Sequence, residues 1–154
     1  QPPGVSPVAY ADSLGLLDHR TLAVHCVHLT DEDIDILTRR KSGVCLCPRS
    51  NEYIGVGRAP WEKLMASGAT LCLGTDSLAS NHDLDVWNEV RFLLENARAR
   101  ITLPEILAWL TANPAKVLGL ENDLGALAPG RLARWSIVPE DVEEKILENN
   151  RGFC

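Results

Sequence analysis

The sequence predicts an α/β fold built on a parallel sheet, and three observations carry that expectation. Short apolar runs begin near residues 22, 43 and 69. Each is followed by a segment carrying helix-start and helix-stop signals. The interval between runs leaves room for one crossover helix, which parallel strands need because their connection takes about a dozen residues or more.

The elements follow in order. Residues 1–12, with Pro2, Pro3, Gly4 and Pro7, read as an irregular lead-in, and residues 11–17 as a short helix ended near Gly15 or Asp18. Leu22-Ala23-Val24-His25-Cys26-Val27-His28-Leu29 reads as a strand covered on both faces. Thr30 is an N-cap candidate, and Asp31, Glu32 and Asp33 put negative charge in the first turn of the next helix. Arg39, Arg40 and Lys41 stand at its C-terminal end, with Gly43 closing it. Residues 43–47 form the second strand, broken by Pro48. A loop with Gly55 and Gly57 leads to a helix over 59–67, and residues 69–74 make the third strand. Leu84, Val86, Trp87, Val90, Leu93 and Leu94 mark an amphipathic helix. Thr102 or Leu103-Pro104-Glu105 opens another, which Asn113-Pro114 breaks before a turn of helix over 115–120. Gly125 to Arg131 is a turn feeding a strand-like stretch, 132–138, and the polar tail carries a helix ending near Asn149.

Composition narrows the function classes. The 154 residues include 15 Lys+Arg against 21 Asp+Glu, a net charge of −6, with 45% hydrophobic and 23% charged residues. That is the balance of a globular protein. The acidic surplus, without a basic stripe, argues against nucleic acid and anionic membrane as partners. No apolar run approaches the ~20 residues of a spanning helix. Five cysteines, Cys26, Cys45, Cys47, Cys72 and Cys154, form no paired loop pattern. They read as free thiols in a reducing, cytoplasmic compartment. The chain opens on Gln1 and its one methionine is Met65, so a processed chain or a piece of something longer is expected.

In a parallel sheet, reactive groups gather at the carboxyl ends of the strands. His25 and His28 follow the first strand, Arg49, Ser50 and Asn51 the second, and Asp76 and Ser77 the third. Asp76 ends an otherwise apolar strand and suits a metal ligand or general base, or else caps the following turn through Ser77 or Ser80. His25 lies inside an apolar run, where its ring needs a partner. Cys45-x-Cys47 places two sulfurs on one strand face, yet no second pair stands at a matching interval to complete a metal site.

The ordered motifs His25-Cys26-Val27-His28-Leu29-Thr30-Asp31-Glu32, Cys47-Pro48-Arg49-Ser50-Asn51 and Leu73-Gly74-Thr75-Asp76-Ser77-Leu78-Ala79-Ser80-Asn81 resemble the amidohydrolase superfamily. The likeness is closest to its deaminase and chlorohydrolase branch. Asn113-Pro114-Ala115-Lys116-Val117-Leu118-Gly119-Leu120 and Gly125-Ala126-Leu127-Ala128-Pro129-Gly130-Arg131 extend the resemblance over roughly residues 8 to 138. It implies a (β/α)8 barrel in which the three strands are the sixth, seventh and eighth. It also implies one divalent metal, zinc or iron, that activates water to attack a small aminated heterocycle. Asp76 matches the strand-eight aspartate, a metal ligand that also takes the water's proton. His25 matches the strand-six histidine that positions the water or the substrate, and Ser50, Asn51 and Ser77 would line the pocket.

The chain departs from the family pattern in lacking any H-x-H pair and any match to the strand-five histidine and glutamate. Arg134 stands where an aspartate is common. The expectation is therefore a C-terminal part of a metal-dependent C–N hydrolase, inactive alone. Residues 1–120 would belong to the barrel, and 121–154 would return toward a small β-domain. A homo-oligomer, or pairing with an absent N-terminal part, is expected. The alternative is a non-catalytic half-barrel module that self-associates through its exposed sheet edges.

Overall fold

The computed structural model describes residues 4–151. Three strands, β1 (Leu22–Val24), β2 (Gly43–Leu46) and β3 (Thr70–Leu73), form one parallel sheet in the order β1-β2-β3. Val44 pairs with Ala23 on one side and Leu71 on the other. Alternation sends Val44, Leu46, Leu71 and Leu73 into the core, and Cys45 and Cys72 to the opposite face.

The helices are α1 (Pro7–Ser13), α2 (Asp31–Arg40), α3 (Pro48–Ile54), α4 (Trp61–Ala66), α5 (Val86–Glu95), α6 (Leu103–Leu110), α7 (Ala112–Val117) and α8 (Glu140–Arg151). Ile34 and Leu37 of α2, Leu64 of α4, Val90 and Leu93 of α5 and Ile106 and Trp109 of α6 close over the sheet's apolar face. Full burial of such a side chain contributes about 1.5–3 kcal/mol. α8 seats Val142 and Ile146 in the same core, and Arg91 holds Asp141 at 2.6 Å across the α5–α8 contact. No helix among the described residues is long and apolar enough to cross a membrane.

The helix starts obey local chemistry. Thr30 and Asp33 form the reciprocal capping box of α2, and Thr102 with Glu105 forms that of α6. Asp85 caps α5 by accepting the Trp87 N–H at 2.9 Å.

Several sequence expectations are corrected. α1 begins at Pro7, capped by Ser6, earlier than the helix expected over 11–17. β1 stops at Val24 and does not run to residue 29. The His25 N–H still reaches Cys45 O at 2.9 Å, but His25 and Cys26 take φ values of 67° and 52° and turn the chain out of the sheet. Lys41, with φ 58°, takes the left-handed cap of α2, and Gly43 instead opens β2. Pro48 ends the strand as expected but also starts α3, since its missing N–H costs nothing at a first helical position. The break after α6 falls at Thr111, and Pro114 sits inside the first turn of α7, where amides have no intrahelical partner. Residues 132–138 make no strand: no described strand lies beside them, and Trp135 is 71% exposed. The expected free thiols hold for Cys26, Cys45, Cys47 and Cys72; Cys154 and the Gln1-Pro2-Pro3 start lie outside the described residues.

Candidate active site

The carboxyl ends of the three strands bring four of the expected residues together. β1 delivers His25, β3 delivers Asp76, and α3, which follows β2 between them, delivers Ser50 and Asn51. Two consecutive residues of α3 therefore divide the work. The Ser50 hydroxyl donates to Asp76 Oδ2 at 2.9 Å, and Asn51 Oδ1 lies 2.9 Å from His25 Nδ1. Both α3 residues are buried, so their side chains are fixed before any ligand arrives.

Asn51 Oδ1 faces the ring at Nδ1, which leaves Nε2 as the nitrogen turned toward Asp76. Nε2 stands 3.9 Å from Asp76 Oδ2, beyond a direct hydrogen bond and close enough for both to address one small molecule. His25 and Asp76 are each about one-third exposed at the side chain, and both carry left-handed backbones, Asp76 with φ 58°. Left-handed non-glycine residues are uncommon, and their gathering at strand ends marks a site where backbone strain is tolerated.

Asp76 is surrounded by donors. Ser80 Oγ reaches Oδ2 at 2.7 Å, Ser50 adds the second hydroxyl, and the two hydroxyl oxygens lie 3.0 Å apart. These bonds, Ser80's first and Ser50's next, hold the Asp76 carboxyl below the usual carboxylate range, helped by the Ser77 N–H and the nearby His25. The group is a ready anion. Ser77 itself is exposed, and it acts through its backbone: its carbonyl accepts the Ser80 N–H at 3.1 Å.

An open cleft of about 280 Å³ adjoins His25, walled by Val27, His28, Asn51, Ile54 and Val56.

Ser80, Asn81 and Glu89 are functional neighbours that the residue types alone did not single out as a group. Glu89 of α5 is fully buried, accepting from the Arg49 N–H at 2.9 Å and from Asn81 Nδ2 at 2.7 Å. A carboxylate in the middle of the apolar Val86–Glu95 helix was the available signal.

The donor set is small. Among the described residues no group of three His, Cys, Asp or Glu side chains could hold a metal ion. Asp76 and His25 alone fall short of the three or four protein ligands that a divalent metal takes, so the described residues do not by themselves make a metal centre.

Comparison with known proteins is consistent with this geometry. The sequence profile of the amidohydrolase family matches residues 4–153. A 5-methylthioadenosine/S-adenosylhomocysteine deaminase of Moorella thermoacetica is 38% identical over an alignment covering 97% of this chain and 38% of that protein. The chain thus spans well under half the length of that relative. The crystal structure of an adenosine deaminase from Xanthomonas campestris with bound zinc superposes with a TM-score of 0.79 at 32% identity, covering 86% of this chain and 31% of that one. Guanine deaminase of E. coli superposes with a TM-score of 0.71 at 29% identity, covering 80% of this chain and 29% of its own. A parallel sheet whose strand ends carry His25, Ser50, Asn51 and Asp76 is thus matched across nearly its whole sequence by one profile, and the chain belongs to the amidohydrolase family.

Proposed function

We propose that this chain is the C-terminal part of a hydrolase that deaminates a nucleobase- or nucleoside-like compound, or a triazine-like ring. One observation carries the reading: Ser50 and Asn51, adjacent in α3, hold Asp76 and His25 so that both face one point. The ionised Asp76 is placed to take a proton from a water molecule there and to return it to the departing amine. His25 Nε2 would orient that water or the ring under attack, with Ser50 and Asn51 holding the pair and lining the pocket together with Ser77.

Under this reading β1, β2 and β3 are the sixth to eighth strands of a (β/α)8 barrel, with residues 1–120 in the barrel and 121–154 leading toward a small β-domain. A typical barrel takes about 250 residues. Asp76 is a ligand to a divalent ion, zinc or else iron, whose remaining ligands come from outside this chain. The free thiols suit a reducing, cytoplasmic setting.

The test is ammonia release from guanine, adenosine derivatives and cytosine by the chain purified with zinc, and by the same chain fused behind the preceding segment of the Moorella thermoacetica relative. The chain alone is expected to be inactive. The fusion is expected to turn over an adenosine derivative and to lose at least ~1,000-fold on Asp76→Asn. Turnover by the chain alone, with one zinc bound per chain, overturns the fragment account.

A second reading has its own observation. Both outer strands of the sheet lack a partner strand among the described residues, and Val24 on β1 is 46% exposed. Such edges recruit another strand. A non-catalytic module of this kind would pair copy to copy, and light scattering distinguishes it: a monodisperse monomer rules it out.

A further inference from the structure

We propose that Glu89 is the positioning residue that sets the separation between Ser50 and Asp76. The inference rests on the reading of those two residues as the site, and reaches beyond it to the part of the fold that holds them in place. Each oxygen of the Glu89 carboxylate has a separate task. Oε2 accepts the N–H of Arg49, the residue immediately before Ser50, at 2.9 Å. Oε1 accepts Asn81 Nδ2 at 2.7 Å, and the same Nδ2 donates to the carbonyl of Thr75, immediately before Asp76, at 2.7 Å. One buried carboxylate thus holds the chain one residue upstream of Ser50 directly and, through Asn81, one residue upstream of Asp76.

The anchor behind this grip is rigid. Glu89 and its neighbour Val90 are fully buried in α5, and Leu93 and Leu94 of the same helix are core residues. A buried carboxylate is costly unless its oxygens are satisfied, and an apolar residue of similar volume is often no less stable in such a place. Burial accordingly pushes the Glu89 carboxyl up, while the bonds from Arg49 and Asn81 oppose that push. An acid at this position is explained by what it holds more readily than by packing. Arg49 adds a second tie: its guanidinium lies 3.7 Å from Glu89 Oε1 and pairs bidentately with Asp83 of the same β3–α5 loop at 2.8 and 2.9 Å.

The experiment is amide hydrogen exchange and ¹H–¹⁵N spectra of the 154-residue chain in three variants. Glu89→Gln keeps the shape but turns one acceptor into a donor facing either the Arg49 N–H or Asn81 Nδ2. Exchange over at least one of the segments 49–51 and 75–80 is expected to rise about tenfold or more, with the Arg49 amide shifted upfield where the first opens, while β2 exchanges as before. Asp83→Asn weakens the outer tie, together with the bonds that Asp83 accepts from the Asp85 N–H and Asn88 Nδ2, and is expected to leave both segments within twofold of the parent. Asn81→Ala is expected to loosen 75–80 and leave 49–51 slow, and it decides the matter if Glu89→Gln does not fold. The proposal is overturned if Glu89→Gln leaves both segments unchanged. It is also overturned if Asp83→Asn loosens them as much, or if Asn81→Ala moves both segments or neither. A fold-wide loss of stability would speed β2 as well, so the local pattern separates positioning from packing. None of these outcomes depends on turnover, so a failed deaminase reading and a failed Glu89 role are distinguishable.

Discussion

Ser50 Oγ lies 2.9 Å from Asp76 Oδ2, joining the first turn of α3 to the end of β3 across the mouth of the sheet. Removing that hydroxyl tests what it does. Ser50→Ala is expected to move the Asp76 titration upward, toward the ordinary carboxylate value, because one of two hydroxyl donors is lost. A depressed carboxyl contributes stability above its unfolded pKa of about 4 and loses it as pH falls through the folded value. The variant's melting temperature is therefore expected to depend less on pH in that acid window. Carbon-detected NMR of the Asp76 carboxyl checks the shift; an unmoved titration contradicts it.

Gly43 is a close-approach position. A methyl group there would lie 2.5 Å from Val117 Cγ2 and 2.7 Å from its Cγ1. Val117 is buried and β-branched, so it has little rotamer freedom with which to retreat. Gly43→Ala is expected to cost about 1–3 kcal/mol through overpacking. Adding Val117→Ala should return most of that cost. Urea melts of the single and double variants check it, and additive losses would refute the contact.

The α2 capping box offers a local stability test. The Thr30 side chain accepts the Asp33 N–H at 3.1 Å, and Asp33 Oδ2 accepts the Thr30 N–H at 3.0 Å. Thr30→Ala is expected to lower stability by about 1 kcal/mol, the usual cost of losing such a cap. Thermal melts read it directly. A loss well under half that value would mean that packing of Ile34 and Leu37 holds the helix start by itself.

The thiols make an ordering prediction. Burial pushes Cys26 up to about 11 and Cys72 up to about 12. The hydrogen bond with Cys47 draws Cys45 down, and the same bond pushes Cys47 up. The thiolate is the reactive form. Iodoacetamide at pH 8 is therefore expected to label Cys45 first among the described thiols, with Cys26 slower and the buried Cys72 slowest. Peptide mass mapping over time checks the order, and early labelling of Cys72 contradicts it.

Much of this was legible in the residues, for physical reasons. β2 and β3 stand out because buried parallel strands are short apolar runs, and α6 because Thr102, Pro104 and Glu105 spell its start. Asp76 was legible as a carboxylate ending an apolar strand. α3 was hidden because Pro48 signals a strand's end and a helix's start in the same way. The length of β1 was overread because Cys26, Val27 and Leu29 are as apolar as a strand, and nothing local announces left-handed backbones at His25 and Cys26. The grip of Glu89 on Arg49 was out of reach, since it joins residues 40 positions apart. Pairing at that distance in sequence is set by tertiary packing alone.

Equilibrium zinc binding by the purified chain tests the central claim most directly, because Asp76 is held here as one member of a larger ligand set whose other members lie outside this chain. Calorimetry with metal analysis after dialysis is expected to find weak, reversible zinc uptake in the parent. Asp76→Asn should abolish it. One tightly held zinc per chain that survives dialysis and persists in Asp76→Asn would contradict the account.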